Sequence, residues 1–329
     1  MKPFRLAANQ PPARFYAGGH RISQFRGAAE VDTSQVVHTP EDWVGSTCTV
    51  NGSDSVGLTH LDSGQVLKEA VEQDPQAWFG PQHVARHGTD SILVKLLDAG
   101  ERLPVHIHPD VPFAQEHLGS NHGKTEGWIA LRDADAYIAF SRDVSAEELR
   151  TWVDTQDTEA ILAAMHRVPV RQGDAIYLPA GLPHAIGDGN FVVELQEPTD
   201  FSVLLEWAGY PIDGTTDGHL GLGFDTALEA VDRRGWSSQE VADLFSTPDD
   251  DGIVLKQAAD FFRARQVGAG ANWSAGFSIL IAISGAGTLT TTNGGEMALA
   301  AGDTILVPFA SGDAALVGDV TAYLCQPPQ

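Results

Sequence analysis

The sequence predicts a mainly β protein with inserted helices, arranged as two β-barrel or jelly-roll modules plus a small helical segment. The first observation is an internal repeat, in which GDAIYLP at residues 173–179 recurs as GDTILVP at residues 302–308. The second is the stretch after residue 252, where short apolar runs alternate with glycine turns. The third is His184, which follows the first copy of the repeat and has no counterpart after the second. We therefore predict one metal-bearing module and one module without metal ligands.

The predicted module boundaries lie where the pattern of the sequence changes. Strand patterns dominate residues 1–144 and 167–215, which form the predicted N-terminal, metal-bearing module. Helical patterns fill the two insertions at residues 145–166 and 216–247. The acidic, turn-forming run STPDDDG then acts as a linker, so residues 253–329 form the predicted C-terminal module.

Local signals predict the individual elements. Residues 21–25 have the composition of a strand, and residues 63–73 have the pattern of a helix. Ser145 followed by Glu148 is typical of a capping box, which predicts that a helix begins there. A second helix is predicted over residues 158–166.

The composition restricts the class of partner. With 20 Lys and Arg against 44 Asp and Glu, the net charge is −24, which disfavours nucleic acid because phosphate contacts need clustered cations. There is no apolar stretch long enough to span a membrane and no apolar signal segment at the N-terminus. Only two cysteines occur, Cys48 and Cys325, so a reducing, cytoplasmic location is expected. The sequence leaves the oligomeric state open.

Two histidines stand at alternate positions of a predicted strand. His106 and His108 follow the apolar run SILVKLL at residues 91–97. Side chains at i and i+2 of a strand lie on the same face, so both imidazoles can reach one cavity. The turn PAGLP presents His184 as a third imidazole. With Glu126, these residues form a ligand set suited to one divalent metal ion.

The histidines belong to two longer motifs. Gly100 precedes His106 by six residues, and GDAIYLPAGLPH at residues 173–184 has the spacing Gly-x5-Pro-x-Gly-x2-His. Together these resemble the two motifs of the cupin superfamily. The resemblance implies a bicupin, in which each β module is a cupin.

The sequence resembles one family within that superfamily in more detail. The blocks GKTEGW at residues 123–128, PAGLPHAIG at 179–187 and ELQ at 194–196 resemble class I mannose-6-phosphate isomerases, and the likeness covers most of residues 40–210. In that family a metal ion, usually zinc, is held by a Gln, a His, the Glu of the KTE block and a later His. Residue by residue, the corresponding positions here are His106, His108, Glu126 and His184. A histidine thus replaces the family's Gln, and the set suits zinc first and also manganese, cobalt, iron or nickel.

The resemblance implies an aldose–ketose isomerase. Such an enzyme would interconvert mannose 6-phosphate and fructose 6-phosphate, or act on a related sugar without phosphate. The reaction moves a proton between C1 and C2, which needs a metal ion on the oxygens and a base for the proton. Lys124, by its place in the family's block, and Glu194, on a strand expected to face the same cavity, are the candidate catalytic residues. The alternatives are a surface ion pair for Lys124 and a ligand-orienting buried carboxylate for Glu194.

One position departs from the family pattern. The family's active-site Arg, ten residues after the Glu of the ELQ block, is Leu204 here, and no Lys or Arg occurs between Arg171 and Arg233. Whether the sugar carries a phosphate is therefore open. Two other functions also stay open, namely a non-enzymatic sugar-binding or sensor cupin and an iron cupin dioxygenase.

The remaining polar and aromatic residues near the motifs are assigned structural roles. His117 and His122 are expected to be solvated loop histidines, with a substrate contact as the alternative for His122. Trp128, Phe201 and Trp207 are expected to pack the barrel, with stacking on a sugar ring as the alternative.

Overall fold

The structure is a computed structural model that describes residues 1–12 and 14–329. It is mainly β, with three antiparallel sheets and short helices between them, so the predicted fold class is confirmed. No helix in the described part of the chain is long and apolar enough to cross a membrane.

Nineteen strands, most of them short, form the sheets in the described residues. In chain order they are β1 Phe4–Arg5, β2 Glu41–Val44, β3 Leu93–Asp98, β4 His106–Ile107, β5 Glu126–Ala130, β6 Ala134–Phe140, β7 Met165–Val170, β8 Ala175–Leu178, β9 His184–Ile186, β10 Phe191–Gln196, β11 Val203–Leu204, β12 Phe245–Ser246, β13 Ile253–Val254, β14 Arg263–Val267, β15 Asn272–Trp273, β16 Ser278–Thr291, β17 Gly295–Ala300, β18 Thr304–Val307 and β19 Ala314–Gln326.

The helices are short and lie at the ends of the sheets or between strands. In chain order they are α1 His20–Phe25, α2 Leu67–Gln73, α3 Pro75–Phe79, α4 Pro81–His87, α5 Val111–Phe113, α6 Ala146–Thr155, α7 Thr158–Ala163, α8 Gly214–Asp217, α9 Phe224–Ala227 and α10 Ser238–Ala242. A π-helical turn follows α5 at Ala114–Leu118, and 3-10 turns occur at Leu228–Ala230, Lys256–Ala258 and Phe309–Ser311.

Two sheets make the N-terminal module. Their strand orders are β12-β8-β5-β10-β3-β2 and β11-β4-β9-β6-β7. Apolar side chains from both sheets, such as Trp128 of β5 and Ile138 of β6, belong to one buried cluster. The two sheets therefore pack face to face, and residues at one end of each can meet in a shared cavity.

One eight-stranded sheet makes the C-terminal module. Its long strands β16 and β19 pair along their length, and Leu280, Leu316 and Leu324 belong to an apolar cluster within it. A second cluster joins the modules, because Val94 and Val193 of the first pack with Ile279 and Leu306 of the second. The modules thus share buried surface.

The two copies of the repeat adopt the same turn. Gly173 and Gly302 both have φ of 91°, a conformation that favours glycine. In each copy the next residue's carboxylate accepts a hydrogen bond from the backbone N–H three residues back, as Asp174 does from Arg171 at 2.7 Å and Asp303 from Ala300 at 2.8 Å. The repeat is therefore a turn that starts strands β8 and β18.

The predicted strand at residues 21–25 is wrong, because this segment is helix α1. Its N-terminal N–H groups are capped from a distant residue. The carboxylate of Asp98 accepts hydrogen bonds from the backbone N–H of Gly19 and of Arg21, each at 2.8 Å, and also pairs with the Arg21 guanidinium at 2.6 Å. This cap comes from about 80 residues along the chain, so local sequence cannot reveal it.

Other element boundaries also differ from prediction. The helix predicted over residues 158–166 ends at Ala163, and Met165 starts β7, which pairs with β6. Ser145 caps α6 as predicted, because its side chain accepts a hydrogen bond from the Glu148 N–H at 3.0 Å. The reciprocal bond of a capping box is not formed in the described structure, since the Glu148 carboxylate accepts hydrogen bonds from Arg142 instead, at 3.0 Å and 2.6 Å.

Two short strands correct the predicted module edges. β1 pairs with β18, so residues 4–5 belong to the C-terminal sheet, although they were assigned to the N-terminal module. β12 pairs with β8, so residues 245–246 extend the N-terminal sheet, although a helical insertion was expected there. Both pairings join segments that lie far apart in the sequence, so a local sequence pattern cannot predict them. The rest of the predicted module division stays a prediction.

We expect Asp98→Ala to lower the free energy of unfolding by about 2–4 kcal/mol, because it removes the cap of α1 and leaves Arg21 without its partner. Urea denaturation followed by circular dichroism measures the change. Asp188→Ala, an exposed carboxylate on a nearby turn, is the matched control and should change stability by less than about 0.5 kcal/mol. Equal losses in both variants would contradict the capping role.

Candidate metal centre

Two of the predicted ligands face each other across a strand pair. His106 of β4 and His184 of β9 are direct partners in the antiparallel register, and their ring centroids are 4.3 Å apart. Each Nδ1 lies 2.8 Å from a backbone carbonyl oxygen, that of Pro104 for His106 and of Leu182 for His184. A carbonyl oxygen only accepts, so each Nδ1 carries the proton and each Nε2 presents a lone pair.

His108 repeats this arrangement just after β4. Its Nδ1 lies 2.7 Å from the carbonyl oxygen of Phe201, which leaves Nε2 as an acceptor. Potential ligand atoms of His106, His108 and His184 all lie within 4.8 Å of one another. Backbone carbonyls thus set the tautomer and orientation of all three rings, as is common for metal-bound imidazoles.

Glu126 comes from the opposite sheet and touches two of these rings. It starts β5, and its Oε2 is 3.0 Å from Nε2 of His108 while its Oε1 is 3.4 Å from Nε2 of His184. Trp128, two residues along the same strand face, donates to Oε1 at 2.9 Å. The structure therefore brings together all four residues that the sequence singled out.

The contacts of this group fit a bound cation. The carboxylate oxygens of Glu126 face Nε2 lone pairs, so acceptor meets acceptor. The Nε2 of His184 is buried and has no hydrogen-bond partner among the described residues. Buried polar atoms are normally paired, so this orphan atom and the surplus of lone pairs indicate a place for a positive ion. The site could hold one metal ion.

The protonation states also suit metal ligands. Burial lowers the pKa of His106 well below its usual range, helped by the neighbouring histidines and Lys124. Burial and the Lys124 ammonium lower the pKa of His108 to about 3. For Glu126, burial by itself would raise the pKa, but Lys124 and His108 outweigh it and hold the pKa well below normal. Neutral imidazoles and an ionised carboxylate are the forms that bind metals.

Lys124 lies inside the group and is buried. Its Nζ is 2.8 Å from Nε2 of His108 and donates to Oε2 of Glu126 at 2.8 Å. A surface ion pair, the alternative considered for Lys124, is therefore wrong, since its partner is Glu126 in the interior.

Glu194 faces the same cavity from β10. It pairs across the sheet with Trp128 of β5 and with Lys95 of β3. Its Oε1 is 3.2 Å from Nζ of Lys95, a close ionic contact that lacks hydrogen-bond geometry. Burial raises the pKa of Glu194, Lys95 opposes that rise and the charge of Glu126 adds to it. A buried carboxyl with a raised pKa is suited to accept and return a proton near neutral pH.

A second buried charge group was missed from the sequence. Glu41 is 3.0 Å from Nε of Arg14 and 3.5 Å from Nζ of Lys95, and it also accepts hydrogen bonds from Tyr16 and Trp43. One signal was available, because Lys95 interrupts the apolar run of β3, all of which is buried. A lone Lys in such a run implies buried acidic partners. Nothing local identifies Glu41 and Arg14 as those partners.

These groups border one cavity of about 190 Å³. The acidic and basic side chains in its lining are Arg14, Glu41, Lys95, Lys124, Glu126, Glu194, Asp200 and Asp217. His106 also lines it, so the predicted centre opens into the cavity. Its aromatic lining consists of Phe15 and Tyr16 in the described part of the chain.

The aromatic residues singled out from the sequence pack elsewhere. Trp128 is buried beside Glu126, and Trp207 stacks on Phe224 with centroids 5.3 Å apart. Neither these two nor Phe201 is part of the described cavity lining, and Trp128 and Trp207 pack against apolar clusters of the interior.

The two loop histidines also lie outside that lining. His117 packs on Phe113 with ring centroids 4.5 Å apart. His122 is 3.0 Å from Asp90 and 3.9 Å from Glu197. Both are partly exposed, and His122 lies in a loop as expected, whereas His117 lies in the π-helical turn at Ala114–Leu118.

Two packed β modules match a cupin-type fold with two modules, and the group of three histidines and a glutamate in the first module could hold one metal ion. No family model matches the chain. A mannose-6-phosphate isomerase from Streptococcus mutans is 40% identical over 111 residues, which are 33% of this chain and 34% of that relative. The chain thus matches about a third of the length of this curated relative.

Solved structures extend the similarity to the whole chain. The mannose 6-phosphate isomerase from Bacillus subtilis has a TM-score of 0.74 at 22% identity, with 99% of both chains covered. A mannose 6-phosphate isomerase bound with zinc and yttrium has a TM-score of 0.73 at 15% identity, with 100% of both chains covered. The chain has the fold of these proteins, and the predicted resemblance to mannose-6-phosphate isomerases is confirmed.

We expect His184→Ala to weaken zinc binding by more than about a hundredfold, because even residues behind the ligands of a metal commonly contribute ten- to a hundredfold. Competition with a coloured chelator measures the affinity. His117→Ala, a histidine outside the cavity, is the control and should bind zinc as the unchanged protein does. Equal weakening in both variants would contradict the proposed ligand.

A pH prediction follows from Glu41. Burial would raise its pKa, but Arg14 and Lys95 outweigh burial and lower it. A lowered pKa adds stability above the unfolded-state value of about 4.3, and this stability is lost as the pH falls below that value. Glu41→Gln should therefore cost about 3–5 kcal/mol at neutral pH and flatten the stability curve below about pH 4.3. Urea denaturation at a series of pH values tests this, with the exposed Glu30→Gln as control. If stability falls equally below about pH 4.3 in the unchanged protein and both variants, the prediction is wrong.

Proposed function

We propose that this protein is a metal-dependent aldose–ketose sugar isomerase, which is the class of reaction that the names of its mannose-6-phosphate isomerase relatives describe. The observation that carries the proposal is the convergence of the three Nε2 atoms and Glu126 at the edge of a cavity that also contains Lys124 and Glu194. The similarity in sequence and fold supports the same chemistry.

Four residues would hold the metal ion: His106, His108, Glu126 and His184. Three nitrogens and one carboxylate oxygen suit zinc, and manganese, cobalt, iron or nickel can accept the same set. When bound, the divalent ion would polarise the carbonyl and neighbouring hydroxyl oxygens of the sugar. The neighbouring structure bound with zinc and yttrium supports zinc as the first choice.

The two catalytic candidates take different parts. Glu194, with its raised pKa, would accept the proton from C2 of the aldose and return it to C1 of the ketose. Lys124, which donates to Glu126 at 2.8 Å, would supply hydrogen bonds to a substrate oxygen as negative charge develops there. Lys95 would support Glu194 by balancing its charge from 3.2 Å.

The test follows proton exchange at C2. The protein is stripped with a chelator, reloaded with zinc, manganese, cobalt or iron, and incubated in D2O with aldoses, ketoses and their 6-phosphates, while proton NMR follows product and deuterium uptake. Glu194→Gln and Lys124→Met should each lower kcat by about a hundredfold or more. Glu116→Gln and Lys68→Met, both exposed, should leave kcat unchanged.

Three other outcomes would count against the isomerase. Sugar binding without exchange would favour the binding or sensor protein. Oxygen consumption with iron would favour the dioxygenase. Full activity in the stripped protein would remove the metal from the reaction.

A further inference from the structure

We propose that the cavity selects sugars without a phosphate group, and that Leu204 and Asp217 contribute to this selection. The inference rests on the proposed isomerase function and names its substrate class. It depends on the charges that line the cavity and on the wall beside His106.

Every cation in the described cavity lining already has an acidic partner. Arg14 is 3.0 Å from Glu41, Lys95 is 3.2 Å from Glu194, and Lys124 is 2.8 Å from Glu126. A sugar phosphate carries a charge of about −1.5 to −2 at neutral pH and needs Arg or Lys with free donors. Binding a phosphate here would break a buried ion pair, which leaves a carboxylate uncompensated.

The balance of charge in the lining is also negative. Five carboxylates line the cavity against three cations, and carboxylates stay in excess even when Glu194 holds a proton. With a divalent metal ion at the histidines, the net charge of the lining would be zero when Glu194 is ionised and +1 when it holds a proton, which is less than the charge of a sugar phosphate. Carboxylates, in contrast, accept hydrogen bonds from sugar hydroxyls, which are the donors of a neutral sugar.

The wall beside the metal centre is apolar. Leu204 of β11 is the direct strand partner of His106, and its side chain lines the cavity together with Ile212 and Leu220. Asp217, the last residue of α8, also lines the cavity. It has no ion-pair partner in the described structure. A phosphate placed here would lose its water to an apolar surface and meet a carboxylate.

No cation in the surrounding segment can replace these groups. Residues 172–232 contain no Lys or Arg, and this range includes Leu204, Ile212, Asp217 and Leu220. The net charge of −24 would also repel a phosphate at long range. Pairing, charge balance and the apolar wall therefore favour the same class of substrate.

The first experiment compares matched substrates on the zinc-loaded protein. The ratio kcat/KM is measured for C2 exchange with mannose, fructose, glucose and xylose and with the corresponding phosphate esters, and calorimetry measures their binding. We expect kcat/KM to be about tenfold or more higher for the free sugars, because the cost of a buried unpaired charge corresponds to at least that factor. Preference for the esters would overturn the inference while the isomerase stands. If no substrate shows exchange at C2, the proposed isomerase function is wrong. Calorimetry still tests the selection for free sugars, because tighter binding of the esters, or no binding of free sugars, would overturn the inference.

The second experiment reverses the selection. Leu204→Arg with Asp217→Asn should shift the ratio of kcat/KM for ester over free sugar by about tenfold or more towards the ester. Leu204→Met, which keeps the wall apolar, should leave the ratio within about twofold. If the double variant folds, shown by an unchanged thermal midpoint of unfolding, and the ratio does not move, these two positions do not select the substrate.

Discussion

Charged groups buried between the two N-terminal sheets must partner one another, and the site is built from those partnerships. Glu41, Lys95, Lys124, Glu126 and Glu194 are all almost inaccessible to water. Each would be costly alone, so the fold persists only if the strands bring acids and bases within contact distance. The strand registers do this, since Lys95, Glu194 and Trp128 lie side by side on β3, β10 and β5.

The same burial sets the chemistry of the groups. Burial lowers the pKa values of His106 and His108, while Lys124 and His108 hold the pKa of Glu126 well below its usual range. Glu194, beside the negative charge of Glu126, keeps a raised pKa. Two carboxyls on neighbouring strands thus differ in the direction of their pKa shift. Lys124 and His108 lower the pKa of Glu126, whereas burial and the charge of Glu126 raise that of Glu194.

The C-terminal module supports the site through packing. Leu255, which directly follows β13 of the C-terminal sheet, lies so close to β5 that a Cβ at Gly127 would be 2.8 Å from its side chain. Gly127 separates Glu126 from Trp128, so this contact bears on the strand that presents the carboxylate. The shared apolar cluster between the modules makes such a contact durable. An apolar residue of the C-terminal module therefore helps to position the strand that carries Glu126 in the N-terminal module.

The sequence by itself determined whatever depends on local spacing. The i, i+2 spacing of His106 and His108 brings both to one site, although His108 lies just after β4; the glycine turns mark β8 and β18, and Ser145 caps α6. Tertiary structure alone decided the contacts between distant segments, such as Asp98 capping α1, Arg14 meeting Glu41, and β1 joining the C-terminal sheet. The reason is physical. Backbone periodicity and turn geometry act over a few residues, whereas the pairing of buried charges depends on which strands lie side by side.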